Sequence, residues 1–116
     1  MSNTETVLVL EDEALIALDL AQSLEEMGFE AVVAGTVVDA LLLIQARSID
    51  FAILDYRVGD RDTGEVAELL REKQIPFALC SGSEVDLAQR VFQGVALIPK
   101  PFTQDVLREA LQSVRN

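Results

Sequence analysis

The chain has no histidine and no tryptophan, a single cysteine, and an aromatic content of only 5% over 116 residues. Each shortage removes a class of function. Without histidine there is no imidazole to act as a general base, to ligate a metal or to carry a phosphoryl group. With Cys80 alone, no disulfide forms within the chain. Cys80 lies in an apolar run and reads as a small core hydrophobe, compatible with a reducing compartment. Positive charge is scarce too: nine Lys and Arg stand against twenty Asp and Glu, a net charge of −11. Non-specific nucleic-acid binding needs Lys and Arg against phosphates, so no direct nucleic-acid contact is expected. No apolar run approaches the ~18 residues of a membrane span, so no membrane insertion is expected. The opening MSNTET has neither the basic nor the apolar region of a secretory leader. These absences lead to the expectation of a cytoplasmic protein that meets cationic partners or metal ions.

What is present is apolar. Half the residues are hydrophobic, and a chain of this length buries roughly 65% of its unfolded surface, enough for one core. A single domain over residues 1–116 is expected. The hydrophobic period switches back and forth along it. Short apolar runs at 7–10, 31–34, 51–54, 77–80 and 95–98 read as strands. Between and after them come helical patterns at 14–27, 40–46, 65–73, 83–92 and from Thr103 onward. Gly28 reads as a helix stop. Thr36 reads as an N-cap with Asp39 three residues on, and Thr103 as the cap of the last helix. A loop holding Gly59 and Gly64 follows the third strand. Strands that are apolar throughout belong to a parallel sheet covered on both faces. The expected class is a doubly wound α/β fold with a five-stranded parallel sheet in flavodoxin-like order 2-1-3-4-5.

Such sheets bind ligands outside the carboxyl ends of their strands. Glu11, Asp12 and Glu13 follow the first strand, Asp55 the third, Ser81 the fourth and Lys100 the fifth. Each is ordinary alone. Asp55 and Ser81 are common turn residues, the three acids suit the start of a helix, and Lys100 is a surface charge. Together, at one edge, they suit phosphoryl transfer to a carboxylate. Mg²⁺ takes hard oxygen ligands and retains waters, and Glu11, Asp12 and Asp55 supply carboxylates for it. One carboxylate attacks phosphorus, while a hydroxyl and an ammonium stabilise the charge that spreads over the phosphoryl oxygens.

The segments VLVLEDE (7–13), FAILDY (51–56), PFALCSGS (76–83) and GVALIPKPF (94–102) resemble the receiver domain of bacterial two-component response regulators, in order and spacing, over nearly the whole chain. The resemblance implies a phosphorylation switch. Asp55 matches the phosphoacceptor. Glu11 and Asp12 match the acidic pair around Mg²⁺ (Mn²⁺ as a substitute), and Arg57 the position that gives the metal a main-chain carbonyl. Ser81 and Lys100 match the residues that contact the phosphoryl group. The implied partners are a histidine kinase or histidine phosphotransfer protein, an output protein or domain, and a second copy in a homodimer.

Three features depart from the family pattern. Leu97 stands where an aromatic switch residue is usual. Val58-Gly59 replaces the usual Met-Pro, which implies a looser loop. No output segment follows the last helix, as in a stand-alone or excised receiver. Arg57 occupies a position from which its side chain can tune the lifetime of an aspartyl phosphate. Leu15 and Leu18 fall opposite the buried face of the first helix, beside Asp19 and Gln22, and form a candidate kinase-docking surface. Two other readings stand beside the switch. One is a phosphate-independent interaction module, favoured by Leu97. The other is a small phosphatase of the haloacid-dehalogenase type, disfavoured because Arg57 occupies the place of its second aspartate. The chain is not expected to be an enzyme beyond its own phosphorylation and dephosphorylation.

Overall fold

A strand whose two faces are both covered by helices has no polar side, and the runs at 7–10 and 51–54 become strands of that kind, whereas the run at 31–34 forms an edge strand that leaves Val33 exposed. The computed structural model describes residues 4–59, 61–81, 96–99 and 102–115. In chain order its elements are β1 (Thr6–Leu10), α1 (Ala14–Glu26), β2 (Glu30–Ala34), α2 (Val37–Ala46), β3 (Phe51–Asp55), β4 (Arg57–Val58), β5 (Arg61–Asp62), α3 (Gly64–Glu72), β6 (Phe77–Ser81), β7 (Ala96–Pro99) and α4 (Gln104–Arg115). The helix expected at 83–92 lies outside the described residues.

Five strands pair in parallel in the order β2-β1-β3-β6-β7. Counting only these five, that is the expected order 2-1-3-4-5. Successive side chains of a strand point to opposite faces, and this divides the core in two. Leu8, Leu10, Ala52, Leu54 and Leu79 pack with Val37, Ala40 and Ile44 of α2 and Val66, Ala67 and Leu70 of α3. Val7, Val9, Ile53, Ala78, Cys80 and Ile98 pack with Leu20 and Leu24 of α1 and Leu107, Ala110 and Leu111 of α4. Cys80 is 1% exposed and belongs to this second cluster.

Helix ends are set locally. Thr36 Oγ1 accepts the Asp39 N–H at 3.1 Å and caps α2. Thr103 Oγ1 accepts the Val106 N–H at 3.2 Å at the start of α4. Gly28, at φ +95°, turns the chain out of α1, a conformation glycine adopts without a Cβ clash. After α3 the same kind of turn falls on Gln74, at φ +60°.

The acids at the amino edge of the sheet have structural work. Asp50 Oδ2 accepts the Thr6 N–H at 2.8 Å. Glu30 Oε1 accepts from Thr6 Oγ1 at 3.0 Å and from Arg47 Nη2 at 3.1 Å. The opposite edge is arranged differently.

Candidate functional site

Sheet register builds the carboxyl edge. Leu10 of β1 lies beside Leu54 of β3, so the next residues along, Glu11 and Asp55, come out together. The Glu11 N–H donates to Ala34 O at 3.0 Å, which carries the β1–β2 pairing one step past the strand. Asp55 pairs with Cys80 and Ser81 with Pro99. Ser81 therefore sits one step beyond Asp55 on the adjoining strand. The backbone of Arg57 lies in β4. Lys100, the residue after Pro99, lies outside the described residues.

Glu11, Asp12 and Asp55 each offer a carboxylate oxygen, and the three atoms lie within 4.8 Å of one another. Glu11 is 2% exposed, Asp55 half-buried and Asp12 exposed. The first turn of α1 itself contains no acid, and Glu11, Asp12 and Glu13 precede it. Glu13 is the N-cap residue of α1 and makes no side-chain cap. Its N–H donates to Glu11 Oε2 at 3.1 Å, which fixes the sharp turn out of β1.

Three formal negative charges gathered this closely, one in a buried residue, repel unless a cation offsets them. The donor set is all hard oxygen and partly open to solvent. That suits a small divalent cation such as Mg²⁺, which binds one or two carboxylates and keeps waters. The residues present therefore fit the metal.

The segment after Asp55 reads as a loop in the sequence, but in the structure it is a hairpin. Arg57 pairs with Asp62 and Val58 with Arg61, antiparallel. Gly59 at φ +65° supplies the turn, since two-residue hairpins favour glycine at positive φ. The Gly59-Asp60 dipeptide between the two pairs was the available signal for it. The Gly59 N–H donates to Asp12 Oδ2 at 2.9 Å, so the hairpin turn is tied across 47 residues to one of the clustered acids.

At the other end of the hairpin sits Thr63, a residue that sequence reasoning missed. Its side chain is fully buried. Although it is the N-cap residue of α3, its hydroxyl makes no cap bond. Oγ1 donates instead to Asp55 O at 2.7 Å, with Tyr56 O at 3.2 Å, and the Thr63 N–H donates to Tyr56 O at 3.0 Å. An N-cap hydroxyl stabilises a helix by about 1 kcal/mol. Here the start of α3 is served by Asp62, whose Oδ1 accepts the Gly64 N–H at 2.9 Å.

Leu97, opposite Leu79, is half-buried against the α2/α3 side of the core. Leu15 and Leu18 are 82% and 62% exposed on α1. With Ile16, Asp19 and Gln22 they line an open groove of about 440 Å³. Among the described residues, no helix is long and apolar enough to cross a membrane.

A family model of the response regulator receiver domain matches residues 7–112. The chain belongs to that family. This receiver domain is similar to the transcriptional regulatory protein PdtaR of Mycobacterium tuberculosis, at 35% identity over 91% of this chain and 54% of that protein. It thus spans about half the length of that relative. SdrG from Sphingomonas melonis is similar over the whole of both chains, with 35% identity and a TM-score of 0.89. A response regulator receiver protein from Sinorhizobium medicae shares 26% identity over 97% of this chain and 94% of its own, with a TM-score of 0.83. The doubly wound sheet in its expected strand order agrees with these neighbours.

Proposed function

We propose that this receiver domain accepts a phosphoryl group on Asp55 from the phosphohistidine of a histidine kinase or phosphotransfer protein, and that the modification sets a signalling switch. The observation that carries the reading is the gathering of the Glu11, Asp12 and Asp55 oxygens at the carboxyl edge of the sheet. An Asp55 carboxylate oxygen attacks phosphorus. The new P–O bond forms as the P–N bond of phosphohistidine breaks, and the imidazole leaves and takes up a proton from solvent. When bound, Mg²⁺ or Mn²⁺ neutralises charge on the phosphoryl oxygens. Glu11 and Asp12 would hold it together with Asp55 and, by the family's pattern, the main-chain carbonyl of Arg57. By the same pattern the Ser81 hydroxyl and the Lys100 ammonium contact the phosphoryl oxygens. Water later cleaves the acyl phosphate and resets the switch. The chain is in this sense a substrate of its partner and not an enzyme acting on others.

The exposed leucines of α1 suit the partner. Interfaces place apolar groups at their centre and polar groups around them. Leu15 and Leu18 flanked by Asp19 and Gln22 have that pattern beside the acidic edge.

A second reading, a phosphate-independent interaction module, is favoured by Leu97, which cannot act as an aromatic switch. One experiment separates the two. The protein is incubated with acetyl phosphate and Mg²⁺, and its intact mass is measured. The switch reading expects one added phosphoryl group, lost with EDTA and in Asp55→Asn. Unchanged mass at saturating donor supports the module.

A further inference from the structure

We propose that Thr63 is a positioning residue for the phosphoacceptor: its buried hydroxyl sets the direction in which Asp55 leaves the sheet. The inference rests on Asp55 being the acceptor and adds a residue to that site. Asp55 is the last residue of β3, and the chain bends at Tyr56. Beyond Asp55 the strand ladder no longer fixes the backbone. The Thr63 hydroxyl reaches back across eight residues to the Asp55 carbonyl at 2.7 Å, and its N–H holds the Tyr56 carbonyl at 3.0 Å. Two consecutive peptide groups beside the acceptor are thereby gripped by one residue.

The hydroxyl is diverted to this task. At φ −100° and ψ 21° Thr63 lacks the extended conformation of an ordinary N-cap. Asp62 takes over the capping of α3. Thr63 also closes the hairpin at its base, while Gly59 at its turn holds Asp12. One short hairpin is therefore anchored to both Asp12 and Asp55, and Thr63 supplies the Asp55 anchor. Displacing a reacting group by about an ångström costs up to ~10²-fold in rate. Loss of the hydroxyl should act on this site more than on the core.

The test compares Thr63→Val and Thr63→Ser with wild type. Valine keeps the branched shape without a donor, and serine keeps the donor without the methyl. Two quantities are read below the melting temperature of each protein. One is the rate of Asp55 modification by acetyl phosphate at saturating Mg²⁺. The other is the Mg²⁺ half-saturation point, followed by the fluorescence of Tyr56, the only tyrosine in a chain without tryptophan. The expected result is that valine slows modification about tenfold and raises the Mg²⁺ half-saturation severalfold, while serine stays within about twofold of wild type in both. A merely structural hydroxyl would lower the melting temperature and leave both quantities alone. Wild-type values for valine overturn the proposal. So does a serine variant as impaired as valine, which would assign the effect to the methyl group; the serine arm decides the matter if valine fails to fold. Absence of modification in wild type would instead overturn the acceptor reading of Asp55.

Discussion

Replacing Asp12 by asparagine should stabilise the metal-free protein and abolish most of its stabilisation by Mg²⁺. Asn is nearly isosteric, and its Oδ1 can still accept the Gly59 N–H that Asp12 Oδ2 accepts at 2.9 Å. The main loss is therefore one negative charge. Its oxygen lies within 4.8 Å of oxygens of Glu11 and Asp55. Two unit charges at that separation repel by about 3.5 kcal/mol at an effective dielectric of 20 and by about 0.9 kcal/mol in water. Because Asp12 is exposed, the aqueous end of that range applies. Two such pairs then give about 2 kcal/mol, reduced further by salt. In a domain of this size, about 1 kcal/mol moves the melting temperature by roughly 4 °C. In EDTA at low ionic strength the variant should melt about 4–8 °C above wild type. In Mg²⁺ the order should invert, because a ligand at about 100 times its Kd adds about 2.7 kcal/mol to a protein that binds it. Circular dichroism melts in the two buffers measure both effects. If Asp12→Asn melted at or below wild type in EDTA, the carboxylates would not be in electrostatic conflict, and the case for a cation at this edge would fall.

Other substitutions probe particular contacts. Gln74 holds φ +60° after α3, where a Cβ costs roughly 1 kcal/mol; Gln74→Gly should raise the urea midpoint without changing the slope of the transition. Thr36→Ala removes the cap of α2 and should destabilise the fold by about 1 kcal/mol in the same assay. Leu15→Glu, on the exposed face of α1, should slow phosphotransfer from a protein donor by at least about tenfold, as loss of an apolar interface contact does. It should leave modification by acetyl phosphate unchanged. Equal slowing with both donors would remove α1 as the docking surface.

The strands of the parallel sheet were readable because they had a strong local cause. The runs at 7–10, 51–54 and 77–80 are apolar on every residue, as the strands of a doubly covered parallel sheet are. Glu11, Asp12 and Asp55 were legible for a related reason: carboxylates that end apolar runs are thrust to a shared edge once the strands align in register. The hairpin from Arg57 to Asp62 was not legible, since strands of two residues are too short to show a period. Its one signal, Gly59-Asp60, serves an irregular loop as readily as a hairpin turn. Thr63 was hidden more deeply. Threonine before a helical pattern reads as a cap, and nothing local says that its hydroxyl will turn back to the strand it came from. Gly64 likewise reads as part of the loop, yet it is the first residue of α3, started by the Asp62 carboxylate.

The proposed switch depends on transfer of a phosphoryl group from phosphohistidine to Asp55. It is tested most directly by mixing the protein with a histidine phosphotransfer protein carrying a radiolabelled phosphohistidine, in Mg²⁺, and following the label. Label should leave the acid-labile donor and appear on this chain in an acid-stable, base-labile form, with none on Asp55→Asn. Label transferred equally to Asp55→Asn, or no transfer from a donor that labels another receiver domain in the same mixture, would contradict it.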